Sequence, residues 1–213
     1  MARVAFRFLN RADVQSLLPS TETLIEVVER GLRAHGAGEV VLPPKSHIHL
    51  DERFNGHFNI LPGFVAPAGA AGVKVVGDYV DNYRVGLPSE VALLTLYDPA
   101  TGVPRCLMDA TVLTWLRTGA VTGIGAKYLA RPDSSVVAHL GARGTALSNL
   151  TVLATLFPLR EVRITSKRPE SRERRAPARA RACRDRRDRA RHAGGPHGPV
   201  RARHLLAPGF RHQ

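Results

Sequence analysis

Cysteine and tryptophan are nearly missing from this chain, with two Cys and one Trp in 213 residues. Cys106 and Cys183 lie far apart and without metal-ligand spacing, which excludes a disulfide scaffold and a cysteine-based metal site. A reducing, cytoplasmic setting is expected, and no metal. Long hydrophobic runs are absent too. Arg3, Arg7, Arg11 and Asp13 break every apolar stretch near the start, so no secretory signal is expected there. The segment "ILPGFVAPAGAAGV" is short and interrupted by Pro and Gly, well below the roughly 20 apolar residues that span a bilayer. A soluble protein that avoids membranes is expected.

Acidic residues are scarce in one place. Residues 172–213 hold thirteen Arg, three acids and no Ile, Lys, Asn, Tyr, Ser or Thr, a net of +10, whereas residues 1–171 carry only +3. The formal charge of +13 therefore belongs to the tail. Thirteen arginines would draw nucleic-acid phosphates, but aromatic residues apart from Phe210 are missing, and nucleic-acid binding is not the expected function. Neither helical nor strand periodicity runs through the tail, and its apolar content cannot offset the entropy of ordering, so it is expected to be disordered.

The remainder is rich in apolar residues and patterned. In "TETLIEVVERGLRAH" (21–35), Leu24, Ile25, Val27, Val28 and Leu32 form one helical stripe with Glu22, Glu26 and Glu29 opposite, and Gly36 and Gly38 close the helix. Residues 39–108 break into short β-branched runs separated by Pro, Gly and Asp, which predict an antiparallel sheet. Its clearest hairpin pairs 91–97 with 103–108 across Asp98–Gly102. Asp109 or Thr111 caps a helix that runs to about Ala130 before Arg131-Pro132. Within it Gly119, Ala120, Gly123, Gly125 and Ala126 cost helix propensity and imply close approach to another backbone. Strand 135–140, a glycine turn, a helix over 145–157 and strand 161–166 then follow the order of a first βαβ unit in a doubly wound fold.

The turn reads Gly141-Ala142-Arg143-Gly144-Thr145-Ala146. In a dinucleotide turn, glycines let the backbone approach the pyrophosphate at the helix start. Arg143 stands where the second glycine belongs, so spacing alone leaves open a cofactor turn and an ordinary strand-to-helix connection. At the end of the second strand, Ser166-Lys167-Arg168 replaces the usual acid, which suits the 2′-phosphate of NADP or a solvated basic turn.

Several stretches together carry a resemblance: "PPKS" (43–46), "GVKVV" (72–76), and "GLPSEVALLTLYDPATGVPRCLMDATVLTWLRTGAVTGIGAKYLARPDS" (86–134), followed by the glycine turn. Residues 1 to about 171 resemble the ornithine cyclodeaminase and mu-crystallin family. The resemblance implies an α/β protein: an N-terminal α+β substrate and dimerisation domain (1–130), the beginning of a Rossmann-type domain (131–171), and the basic tail (172–213). It implies NAD or NADP as cofactor, an amino-acid or imino-acid substrate and a homodimer. The activity it implies is deaminating cyclisation of L-ornithine to L-proline with release of ammonia. Within the same family stand NAD(P)H-dependent ketimine reductases, amino-acid dehydrogenases and non-catalytic binding proteins.

By the same resemblance Lys74 and Arg117 are the catalytic pair, and Lys74 also meets the substrate. An ammonium in an otherwise apolar strand can hold a carboxylate or assist proton transfer, and the Arg117 fork suits a carboxylate or a pyrophosphate. Lys45 takes the place of a family arginine, and Ser89 that of a hydroxyl residue touching the cofactor. Gly141, Ala142, Arg143, Gly144, Thr145, Ser166, Lys167 and Arg168 complete the expected cofactor site. Asn59 stands where ornithine cyclodeaminases carry a glutamate, a departure that bears on the ornithine-specific reaction. The family also continues for more than a hundred residues where this chain turns to Arg, Ala, Pro, Gly and His. A frameshift near Arg174 in a GC-rich gene, with impaired activity, is the expectation. Reading the gene in its other two frames tests it, and the absence of strand and helix patterns in both would reject it.

Overall fold

The computed structural model describes residues 4–141 and 145–165, together with the backbone of 201–204. The chain groups into two compact units, one made of residues 1–20 and 26–114 and the other of residues 21–25 and 115–213. The division at 130/131 and 171/172 read from the sequence stands as a proposal beside this grouping.

The first unit is built on a seven-stranded mixed sheet. Its strands are β1 (Arg7–Leu9), β2 (Val40–Val41), β3 (Ser46–His49), β4 (Gly56–Val65), β5 (Ala70–Tyr79), β6 (Glu90–Tyr97) and β7 (Pro104–Asp109). They run in the order β1-β7-β6-β5-β4-β2, with β3 also paired to β4. Every pairing is antiparallel except that of β1 with β7. The centre is the β4–β5 hairpin, in register from Gly56 opposite Tyr79 to Val65 opposite Ala70. Gly69, at φ +54°, supplies the left-handed turn residue that closes it. The predicted hairpin is present as β6 and β7, where Asp98 accepts from the Ala100 and Thr101 amides at 2.8 and 3.0 Å. The Arg105 guanidinium, bonded to the Asp98 carboxylate, is the main reason that carboxyl is held below its usual range.

Strand alternation gives this sheet two chemically different faces. Val76, Ala92 and Ala110 are buried together, with Leu61 and Leu94 against them. On the opposite face Val75, Val91 and Leu93 are 37%, 43% and 49% exposed.

Two elements near the start had no counterpart in the sequence reading. Strand β1 is too short for an alternation signal. Helix α1 (Arg11–Ser16) is announced by a capping box: Asn10 Oδ1 accepts from the Ala12 and Asp13 amides, and Asp13 Oδ2 accepts from the Asn10 amide at 2.9 Å. Helix α2 (Thr21–Gly36) forms as expected, but its apolar stripe is corrected. Glu29 is buried alongside Ile25 and Ala34, whereas Val27 and Leu32 are 47% and 41% exposed. Arg33, one turn on, donates to Glu29 Oε1 at 3.0 Å and gives the buried carboxylate a charged partner.

In the second unit, strands β8 (Val136–Leu140) and β9 (Glu161–Thr165) are parallel neighbours in one sheet, connected through helix α4 (Thr145–Leu156). Leu150, Val162 and Ile164 form its core, with Val137 against them. Helix α3 (Thr111–Leu129) starts in the first unit and contributes most of its length to the second. The close approach inferred from its small residues holds at Gly119 and Gly123 and is corrected at Gly125, where an added Cβ would meet no described atom within 4 Å. A Cβ on Gly119 would lie 2.7 Å from the Ser148 backbone, and one on Gly123 would overlap Val152, both on α4.

The tail expectation is corrected at four residues. Arg201–His204 form β10, parallel to β9. An open strand edge offers unpaired amides and carbonyls to any extended backbone, so no side-chain alternation is required of the segment that joins it. The rest of the tail lies outside the described residues.

The α3–α4 contact yields a paired prediction. Gly119→Ala should cost about 1–3 kcal/mol through overpacking, whereas Gly125→Ala, with nothing within 4 Å of the new Cβ, should gain about 0.5–1 kcal/mol from helix entropy. Urea unfolding of the two variants checks the sign of each.

Candidate functional site

The register of the first unit assembles one group of polar side chains. Asn59 on β4 lies opposite Val76 on β5, and Leu61 lies opposite Lys74. Asn59, Leu61, Lys74 and Val76 therefore share a face, the one that carries the buried Val76–Ala92–Ala110 cluster. Lys74 is half-buried, and its Nζ donates to Thr114 Oγ1 at 3.3 Å. Thr114, in the first turn of α3, is only 6% exposed.

The position of that helix start is set by β6. Ala110 donates its amide to the Ala92 carbonyl at 2.8 Å, and the Ala92 amide donates to Thr111 Oγ1 at 3.0 Å. Asp109 Oδ1 in turn accepts from the Thr111 amide at 3.0 Å. Both backbone polar groups of Ala92 thus hold the β7–α3 junction, which brings Thr114 to Lys74.

Beyond Asn59, away from Lys74, lies a group the sequence reading missed. His47 and His49 on β3 and His57 on β4 have ring centroids 5.6–5.9 Å apart. The signal was available: His47-x-His49 and His57-x-Asn59 are two-residue spacings that put each pair on one face of a strand. Asn59 Nδ2 donates to His57 Nε2 at 3.2 Å, and Asn59 Oδ1 is buried with no hydrogen-bond partner. Partial withdrawal from water, then the charges of Lys45, His49 and His57, lowers the His47 pKa, and only the Asn59 side chain works against this. Among the described residues no three His, Cys, Asp or Glu side chains stand where they could hold a metal ion.

The other expected residues are placed as follows. Lys45 is exposed just before β3. Ser89 ends the loop between β5 and β6, where its carbonyl accepts from the Tyr79 amide at 2.8 Å while Asn82 Nδ2 donates to the Pro88 carbonyl at 2.8 Å. Arg117 is exposed on α3, in the second unit. In that unit Gly141 leaves β8 at φ +95°, a left-handed conformation that favours glycine, and no described residue lies within 4 Å of where its Cβ would stand. Its amide donates to the Thr165 carbonyl at 2.8 Å, and His139, held by Asn149, bonds its carbonyl at 2.9 Å. Thr145 opens α4. Ala142, Arg143, Gly144, Ser166, Lys167 and Arg168 lie outside the described residues.

A mixed sheet followed by a parallel β–turn–α–β unit defines an α/β protein with a Rossmann-type fold. The chain belongs to the ornithine cyclodeaminase/mu-crystallin family, whose model matches residues 5–193. It is 37% identical over 155 residues to the alanine dehydrogenase of Archaeoglobus fulgidus, an alignment covering 73% of this chain and 46% of that protein. Among solved structures, it matches the Δ1-pyrroline-2-carboxylate reductase of Thermococcus litoralis, in complex with NADH and L-proline, at a TM-score of 0.79 and 28% identity. That match covers 95% of this chain and 58% of the reductase. An archaeal alanine dehydrogenase dimer with bound NAD matches at a TM-score of 0.78 and 33% identity, over 95% of this chain and 56% of that one. The chain spans about half the length of the curated relatives it matches. No helix among the described residues is long and apolar enough to cross a membrane.

The Ala92–Thr111 bond gives a test of this architecture. Thr111→Val should leave the Ala92 amide buried without a partner and cost about 1–3 kcal/mol, read as a lower thermal midpoint. Thr111→Ser, which keeps the acceptor oxygen, should retain most of that stability.

Proposed function

We propose that this chain carries the substrate face of a nicotinamide-dependent enzyme that exchanges hydride with the α-carbon of an α-amino or α-imino acid. The observation that carries the reading is Lys74, a half-buried ammonium flanked by Val73, Val75 and Val76 on β5, on the same face as Asn59 and steadied by Thr114. A cation so placed suits a small acid's carboxylate. In this reading Lys74 receives the carboxylate, Lys45 adds charge, and Asn59 contacts the substrate; Arg117, in the other unit, is the second catalytic candidate, with a fork that suits a carboxylate or the cofactor's pyrophosphate. Proton transfer is the alternative role for Lys74.

The β8 turn fits a dinucleotide, because Gly141 is left-handed, α4 starts just beyond it, and β8 and β9 are parallel. Gly141, Ala142, Arg143, Gly144 and Thr145 would hold the pyrophosphate of NAD or NADP. Ser89 would touch the cofactor, and Ser166, Lys167 and Arg168 would flank its adenosine ribose. When bound, the cofactor supplies or accepts the hydride. The relatives support this reading: one is named as an alanine dehydrogenase, and another as a reductase of a cyclic imino acid whose complex holds NADH and L-proline.

Cyclisation of L-ornithine to L-proline is the second reading. A lysine cyclodeaminase 29% identical over 154 residues supports it, and the neutral Asn59 in place of a glutamate weighs against it. With the full chain, NAD or NADP and L-alanine or L-ornithine, a dehydrogenase raises the nicotinamide absorbance, while a cyclodeaminase releases ammonia with no net change. Lys74→Ala should lower kcat/KM about 10–100-fold, the worth of a charge-assisted hydrogen bond. Unchanged kcat/KM would remove Lys74 from the site.

The opposite face of the sheet supports a homodimer. Ile48 on β3, Val75 on β5 and Val91 and Leu93 on β6 lie on that face and are 37–49% exposed. A second copy would cover them, and the alanine dehydrogenase whose structure matches is described as a dimer. Light scattering should give twice the chain mass for the protein and the single mass for Val75→Lys combined with Leu93→Lys.

A further inference from the structure

We propose that Asn59 receives the nitrogen of the bound amino or imino acid on its amide oxygen, and that His57 is the positioning residue that keeps this oxygen turned outward. The proposal rests on the substrate reading above and adds to it the group that recognises the nitrogen. An amide presents a donor at one end and an acceptor at the other, so fixing one end fixes both. Asn59 Nδ2 is spent on His57 Nε2 at 3.2 Å. Its Oδ1 is buried and has no partner among the described residues, a state that folded proteins rarely leave unfilled.

The register supplies the second argument. Lys74 lies two residues from Val76, the residue opposite Asn59, and on the same face. Asn59 and Lys74 are therefore diagonal neighbours on paired strands, with about 7–8 Å between them. An amino acid whose carboxylate meets the ammonium and whose nitrogen meets the carbonyl bridges an interval of that size. An ammonium or iminium nitrogen has only hydrogens to offer and needs an acceptor there. A metal ion is the other candidate for an orphan oxygen beside three imidazoles, but those side chains do not converge on one.

His57 makes this arrangement sensitive to acid. It accepts from Asn59 only while Nε2 carries no proton, and protonation turns it into a donor. The amide then rotates half a turn to present Oδ1 to His57, and Nδ2 faces the substrate nitrogen, donor against donor. The groups facing His57 are His47 and His49 on β3, each with its ring centroid 5.9 Å away, and Asp78 directly opposite on β5, with Glu90 next to it on β6.

The test is calorimetric titration of the full chain, with NADH present, using L-proline and cyclopentanecarboxylate, which has the same ring and carboxylate but no nitrogen. L-Proline keeps one charge state between about pH 6 and pH 8, so any change across that window belongs to the protein. At pH 8 it should bind at least about tenfold more tightly than the carbocycle, and Asn59→Leu should abolish the difference. At pH 6 the preference should shrink. His57→Gln, whose amide oxygen still accepts from Asn59 but does not titrate, should hold the preference at both pH values, while His49→Gln should keep the wild-type dependence. A preference that survives Asn59→Leu, or a pH dependence unchanged in His57→Gln, overturns the proposal and leaves the substrate reading intact. Failure of L-proline to bind, with NADH and with NADPH, overturns both.

Discussion

The two-residue period of a β-strand is the constraint on which the candidate site depends. One hairpin, β4–β5, is in register over ten residue pairs, and that register decides that Asn59 and Lys74 share a face while Val75 turns the other way. A slip of one residue would bring Lys74 out on the apolar face and turn Val75 inward. The interior cluster of Val76, Ala92 and Ala110 resists such a slip, because its burial is possible in only one register. Hydrophobic packing therefore holds the polar chemistry in place. Backbone groups of Ala92, bonded to Ala110 and Thr111, extend the same frame to the first turn of α3 and to Thr114.

The second unit works by a different device. Helices α3 and α4 approach so closely that glycine is required at positions 119 and 123. The parallel β8–α4–β9 arrangement then presents the turn at Gly141 at the end of a strand and the start of a helix, the place where backbone amides accumulate.

Much of this was legible in the sequence. Helices α2, α3 and α4, the β6–β7 hairpin and the βαβ order follow from apolar period and punctuation, and the family from residues running from "PPKS" to the glycine turn. What escaped has physical reasons. Strand β1 is three residues long and pairs with a distant strand, so nothing local marks it. Glu29 reads as a solvent-facing charge because periodicity does not see the Arg33 that partners it in a buried place. Strand β10 is known by its parallel backbone pairing with β9, which no local side-chain pattern announces. The histidines of β3 and β4 were visible as residues, but only the pairing of His49 with His57 and of His47 with Asn59 makes them neighbours.

Strand β1 sets an order on how the first unit can be assembled. Arg7 is paired with Cys106 and Leu9 with Met108, so the earliest strand in the chain completes its sheet beside almost the latest. The β4–β5 and β6–β7 ladders close over short turns, at little entropic cost, whereas β1 must wait through a loop of nearly the whole unit. During synthesis β1 emerges before β7 and has no ladder to join until β7 has left the ribosome. Until β1 returns, the outer edge of β7 stands open to any extended backbone.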